Sequence, residues 1–408
     1  MNGDIGDSRL RVVVVDRAGF DRYRLPDGTA ALDPRACRVT LLTRPQVAAQ
    51  AGPAECAEVF ALDIDEEDLT AALITAVHEA HGVDRIVVFP ENLLVPIAAV
   101  RERLGIAGPR VAEVQPFRDK PTMKRTAHRA GIPVVEWIAV ESAEHLREFM
   151  ARHGAIVAKP RDGAGSADVS VMHDEDDLRK FLENADVTAY QAERLVDDTG
   201  MIHVDAVVRD GEPMVSVTSQ YLNSTLSHVS RRPLMSVVVE EPRLLAASTD
   251  LLADVIKAFE IRDAVLHLEA FAPDDGRLVF NEVACRAGGG GIVSLVQALR
   301  GVNLFEAMVR MALGEKPTTN YEKTATAAGW VLLYGGPGVL EEVVDDEIPA
   351  EWIVERKTAV RPGEFFTPVG RAGGSLVSYV VRGAGREQVE KRLRAIADRV
   401  EIRYRDTE

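Results

Sequence analysis

Four short apolar runs, LRVVVV, CRVTLLT, AEVFALD and DRIVVFP, punctuate the chain up to residue 90, each rich in β-branched residues and each closed by polar or turn-forming ones. Such runs read as strands. Between the third and fourth, EEDLTAALITAVHEAHG repeats apolar positions at helical spacing, placing Leu69, Ala72, Leu73, Ala76, Val77 and Ala80 on one face. Strands alternating with helices predict a parallel α/β sheet over residues 1–115. No GxGxxG follows the first strand, so a dinucleotide fingerprint is absent.

The pattern changes near Pro116. QPFRDKPTMKRTAHRAGIPVVEW gathers basic residues on a helix from about Pro121 to Ala130, stopped by Gly131 and Pro133. A second helix, AEHLREFMARHG, precedes AIVAKPRDGAGSADVSVM, which reads as strand, glycine-containing loop, strand. The P-loop signature needs a helix after the loop and a lysine at its end; here Lys159 comes before the loop. AYQAERLV and MIHVDAVVRDGEPMVSVTSQYL predict antiparallel strands with a turn at Asp210-Gly211, and a helix is expected from Leu244 to Phe259. The tail from about Thr324 predicts strands, one amphipathic helix and a last strand.

The 408 residues are enough for two or three domains, with 46% hydrophobic and 27% charged positions. No apolar run is long enough to span a bilayer, and MNGDIGDSRL lacks the apolar core of a signal peptide, so a cytoplasmic protein without a membrane partner is expected. A formal net charge of −16 with no basic stripe argues against nucleic acid. The three cysteines fit neither a disulfide framework nor a CxxC metal site.

Chemistry concentrates in AVLHLEAFAPDDGRLVFNEVACRAGGGGIVSL. Asp275-Gly276 between alternating runs predicts a hairpin. With a two-residue loop, Asp274 pairs with Arg277, and Glu269 then falls opposite Glu282. Like charges so placed destabilise a sheet unless a divalent cation bridges them, and hard oxygen ligands suit Mg²⁺. Two solvated glutamates are the alternative. His267 shares their face as a ligand or acid-base candidate, or as a hydrogen-bonded strand histidine; Asn281 points to the other face of a regular strand.

Arg286 offers a donor fork, the following glycines expose N–H groups, and the run IVSLVQALRGVNLFEAMVRMALG predicts a helix whose N-terminus favours an anion. Together with the carboxylates they would suit a transferred phosphoryl group; a plain glycine-rich connection is the alternative. Gly163, Gly165 and Ser166 could close over phosphates, with Lys159 and Lys120 as cations. Cys285 reads as a small core residue, and His203 and Asp205 alternate on one strand face.

In this order Lys120, Lys159 with DGAGS, AERLV, HVDAVV, Glu269 and NEVACRAGGG resemble the ATP-grasp superfamily, most of all the carboxylate-amine ligases that include bacterial L-amino-acid ligases (dipeptide synthetases). The resemblance implies a multidomain α/β and α+β fold: a Rossmann-like domain over 1–115, an ATP-grasp core over 116–320 with a lid at about 133–195, and an α+β subdomain over 321–408. It implies that Lys120, Lys159, Gly165, Ser166 and the segment Glu193, Arg194, Leu195, Val196 hold ATP, the last through backbone at adenine and a carboxylate at ribose. Glu269 and Glu282 match ligands of Mg²⁺, with Mn²⁺ as the alternative ion. His267, Arg286, Ala287, Gly288 and Gly289 match the substrate and acyl-phosphate site, with Arg286 in the catalytic role. His203, Asp205 and His228 are further candidates, and His228, His267 and Asp205 are those for the amine base. Many relatives carry Asn where this chain has Ala284, which leaves open how a second ion is completed. The implied partners are ATP with small carboxylate and amine substrates, and a homodimer is expected. A thiol on a carrier protein as acceptor and a non-catalytic nucleotide-binding module are the competing readings.

Overall fold

The N-terminal apolar runs form the strands β1 (Leu10–Val15), β2 (Cys37–Thr43), β3 (Glu58–Ala61) and β4 (Arg85–Val88), all parallel, in the order β3-β2-β1-β4. The structure is a computed structural model, and it describes residues 8–25, 28–52, 55–196, 200–273 and 276–405. The helix Glu67–His81 is present, but it buries Thr70, Ile74 and Val77 and leaves Leu69 52% exposed. The apolar stripe is therefore rotated from the expected one. Alanines carry little orienting signal, and Thr70 hides its hydroxyl by donating to the Ile64 carbonyl at 3.1 Å.

The chain divides into two compact units, residues 1–118 with 303–318, and residues 119–302 with 319–408. The run after the glycines, expected as one helix, is two: Ile292–Arg300 and Leu304–Leu313. Gly301 separates them at φ +68°, where a side chain would collide with the Tyr321 carbonyl, and Asn303 caps the second through the amides of Phe305 and Glu306. That second helix belongs to the first unit, where Val309 packs in one cluster with Val12, Val14 and Leu41.

In the second unit, β5 (Trp137–Ala139), β6 (Ile156–Pro160), β7 (Ser170–Met172) and β8 (Tyr190–Arg194) form an antiparallel sheet in the order β5-β8-β6-β7. Helices Ala143–His153 and Glu175–Asn184, capped by Ser142 and Asp174, cover it with Leu146, Phe149, Leu178 and Phe181. The remaining strands are β9 (Ile202–Arg209), β10 (Glu212–Tyr221), β11 (Leu234–Val238), β12 (Ala264–Phe271), β13 (Val279–Ala284), β14 (Ala327–Leu333), β15 (Gly338–Val344), β16 (Ile353–Thr358), β17 (Phe365–Phe366), β18 (Val377–Gly383) and β19 (Glu401–Arg405). Eight of them make one sheet, β13-β12-β9-β10-β11-β14-β18-β16, and β17-β15-β19 make a small one. The tail thus extends the sheet that carries the glutamates. Asp210 and Gly211 both adopt positive φ in the tight turn between β9 and β10. No single helix among the described residues is long and apolar enough to cross a membrane.

Candidate active site

Glu269 on β12 lies directly opposite Glu282 on β13. The expected pairing is present; the expected loop falls on residues outside the described ones. The strands stop at Phe271 and Val279, and Asp274 and Asp275 lie outside the described residues. Beyond the glutamates, Ala270 faces Phe280 and Phe271 faces Val279, one residue out of step, and a bulge at Asn281 restores the register at Glu269. The bulge also reverses the expectation for Asn281. Its side chain turns into the site, accepting from Lys159 Nζ at 2.9 Å and donating to Glu269 Oε2 at 3.5 Å.

Both carboxylates line a cavity of about 640 Å³, within the size range of small-molecule sites. The cavity brings together Lys120, Lys159, Gly165, Ser166 and Glu193 to Val196, all of them expected. Lys120 donates to the Gly163 carbonyl at 2.6 Å and stands 3.6 Å from Glu282 Oε2. Gly165 and Ser166 take positive φ, 64° and 57°, and the Gly165 carbonyl accepts from the Ala372 amide at 2.8 Å. Leu195 and Val196 follow β8 along the wall, while Arg194 pairs outward with Glu136 at 2.7 Å.

Glu193 departs from its expected role. Its carboxylate is buried and held by Gln191 Nε2 at 2.6 Å, Lys124 Nζ at 3.1 Å and Lys159 Nζ at 3.1 Å, so it is not offered to a ribose. Burial favours the protonated acid, but the two ammonium groups outweigh it and hold the carboxyl at about 2. Burial lowers Lys124 to about 8, whereas Lys159, beside Glu193, Glu282 and Glu269, is raised in spite of burial. Lys124 and Gln191 were missed in the sequence, though both carried a signal: Lys124 lies one helical turn beyond Lys120, and Gln191 shares a strand face with Glu193.

Beside the cavity, Asp205 accepts from His203 Nδ1 at 2.7 Å and His267 Nδ1 at 2.8 Å, and His203 Nε2 meets Ser236 Oγ at 2.8 Å. His267 Nε2 points at Glu269 Oε1, 3.4 Å away, which also accepts from Tyr221 at 2.7 Å. Burial opposes a charged His267, yet Asp205 and Glu269 raise it to about 10. His267 stays protonated near neutrality and fully buried Asp205 is spent on two imidazoles, so neither fits the amine base. His228 closes a turn at Thr225–His228, and its side chain lies outside the described residues.

Arg286 and Ala287 to Gly289 are absent from the cavity lining. Arg286 is half-buried with Nη1 donating to the Ala287 carbonyl at 2.9 Å, and Cys285, expected in the core, is half-buried. Gly288 is close-packed: a Cβ would stand 2.6 Å from Ile292, 2.8 Å from Asp205 and 2.9 Å from His267. Gly289 alone of the four glycines has open space around it. Ala284, buried, pairs across the strands with His267.

Two hard carboxylates at one end of the cavity suit a divalent cation. Glu269 Oε2 and Glu282 Oε2 are engaged only at 3.5 and 3.6 Å, leaving lone pairs for an ion.

Residues 37–108 match the ATP-grasp N-terminal domain family. An L-arginine-specific L-amino acid ligase from Bacillus subtilis is 24% identical over 305 residues, 72% of this chain and 73% of that one. The L-amino acid ligase from Bacillus licheniformis superposes with a TM-score of 0.76 at 17% identity, covering 98% of this chain and 100% of that one. Phosphoribosylglycinamide synthetase from Anaerococcus prevotii follows at 0.71 and 13%, covering 97% and 100%. Residues 37–108 thus carry an ATP-grasp N-terminal domain, and the chain as a whole has the ATP-grasp fold and is similar to the bacterial L-amino acid ligases.

Proposed function

We propose that the chain is an ADP-forming carboxylate-amine ligase whose carboxylate substrate is an amino acid or a related acid. The observation that carries the reading is one cavity bounded by two lysines, a glycine loop and two facing carboxylates. Lys120 and Lys159 hold the ATP phosphates from one side, and the loop Gly163 to Ala167 covers them. The segment Glu193 to Val196 borders the adenine, with the Arg194 and Leu195 amides held by the Glu136 and Ala155 carbonyls. Glu269 and Glu282 hold Mg²⁺, which when bound neutralises charge on the phosphates.

The substrate carboxylate oxygen attacks the γ-phosphorus, the bond to the β-phosphate oxygen breaks, and ADP leaves an acyl phosphate. The amine nitrogen then attacks the acyl carbon, phosphate departs, and the amine gives up a proton. Tyr221 and His267 contribute by orienting Glu269. Arg286, four residues past Glu282, is the candidate to bind the acid through its guanidinium fork.

Incubation with ATP, Mg²⁺ and pairs of amino acids tests the reading. ADP, phosphate and an amide are expected, with EDTA abolishing all three. AMP and pyrophosphate as products would reject it.

A further inference from the structure

Behind the cavity lies a buried charge that takes no part in the reaction steps. Lys124, on the helix Lys120–Arg129, is buried and absent from the cavity lining. Its Nζ stands 3.1 Å from Glu193 Oε1, 3.4 Å from the Phe280 carbonyl and 5.8 Å from the centre of the Phe280 ring. A buried ammonium is costly even when paired, and a methionine would fill the same space without that cost.

The geometry around Glu193 gives the lysine a task. Oε1 is taken by Lys124 and Gln191, so Lys159 is left with Oε2, at 3.1 Å. From there its ammonium reaches forward to Asn281 Oδ1 at 2.9 Å, on the side of Glu269 and Glu282. We propose that Lys124 is a positioning residue for the nucleotide: by occupying one oxygen of Glu193 it confines Lys159 to the other and keeps the Lys159 ammonium at the cavity, facing the phosphates. This rests on the reading of the cavity as the ATP site. Without Lys124 only the neutral Gln191 amide remains on Oε1 and Glu193 keeps a single ammonium partner, so Lys159 is drawn toward the carboxylate and back from Asn281, and the phosphates lose a donor.

The test is a calorimetric titration of the full-length chain with Mg²⁺ and a non-hydrolysable ATP analogue, for wild type, Lys124→Met, Lys159→Met and the double variant. Each single change is expected to weaken binding about tenfold, the worth of one charge-assisted hydrogen bond. The double variant should bind no more weakly than Lys159→Met, because Lys124 acts through Lys159. In turnover, KM for ATP should rise while KM for the acid stays unchanged, a split that general loss of packing would not produce. Unchanged affinity in Lys124→Met, or losses that add in the double variant, overturns the proposal. If Lys124→Met fails to fold, Lys124→Gln carries the same expected and overturning results. A wild-type chain that does not bind the analogue rejects the nucleotide site itself, whereas binding that is indifferent to Lys124 rejects only the role of Lys124.

Discussion

Glu269 and Glu282 stand opposite each other on neighbouring strands, where two carboxylates repel. The replacement Glu282→Gln is expected to lower turnover by about a thousandfold or more while the melting temperature holds or rises, because it removes an ion ligand and half of a repulsive pair. Phosphate release and thermal denaturation check both halves; retained activity would mean that the facing glutamates are not the metal site. Glu193 makes a second prediction. Its folded pKa of about 2 is depressed, so the stability it adds is full above the ordinary carboxylate value near 4.5 and is lost as pH falls from there toward 2. Denaturation midpoints of Glu193→Gln should therefore be less sensitive to acid over that window than those of wild type. At this scale the charged pair was legible and the bulge was not. Asn281 enters the site only because β13 carries one more residue than β12 can match, a fact of strand curvature that alternation does not encode.

At the level of elements, the glycine run reads differently after folding. Gly288 is needed because Asp205, His267 and Ile292 close on it. Gly288→Ala should cost about 2 kcal/mol by overpacking, measured by denaturant unfolding. The glycine loop at 163–167 has an equally local restraint. Gly165 accepts from the Ala372 amide, and the Ala372 carbonyl accepts from the Tyr334 hydroxyl at 2.7 Å. Tyr334→Phe should raise the rate of limited proteolysis at residues 163–167 by about fivefold, the worth of one hydrogen bond; an unchanged rate would show that this chain of bonds does not hold the loop. The strand runs were readable because β-branched clusters ending in turn residues have few other uses. The buried stripe of Glu67–His81 was not, since alanines on several faces leave the packing partner to choose.

For the whole molecule, ATP with Mg²⁺ should slow hydrogen exchange in β6, β8, β12 and β13, which line the cavity, and leave β1 to β4 unaffected. Uniform protection would contradict a site confined to the second unit. The sequence by itself determined the parallel N-terminal sheet, the strand-loop-strand around Lys159, the opposition of Glu269 and Glu282 and the ATP-grasp resemblance. These depend on local periodicity, turn chemistry and ordered motifs, which are properties of neighbours along the chain. Only the tertiary structure decided that Glu193 faces two lysines, that Asp205 binds two histidines, and that residues 303–318 pack with the first unit. Each of those joins side chains far apart in sequence, and which partner neutralises a buried charge is set by the packing of whole elements.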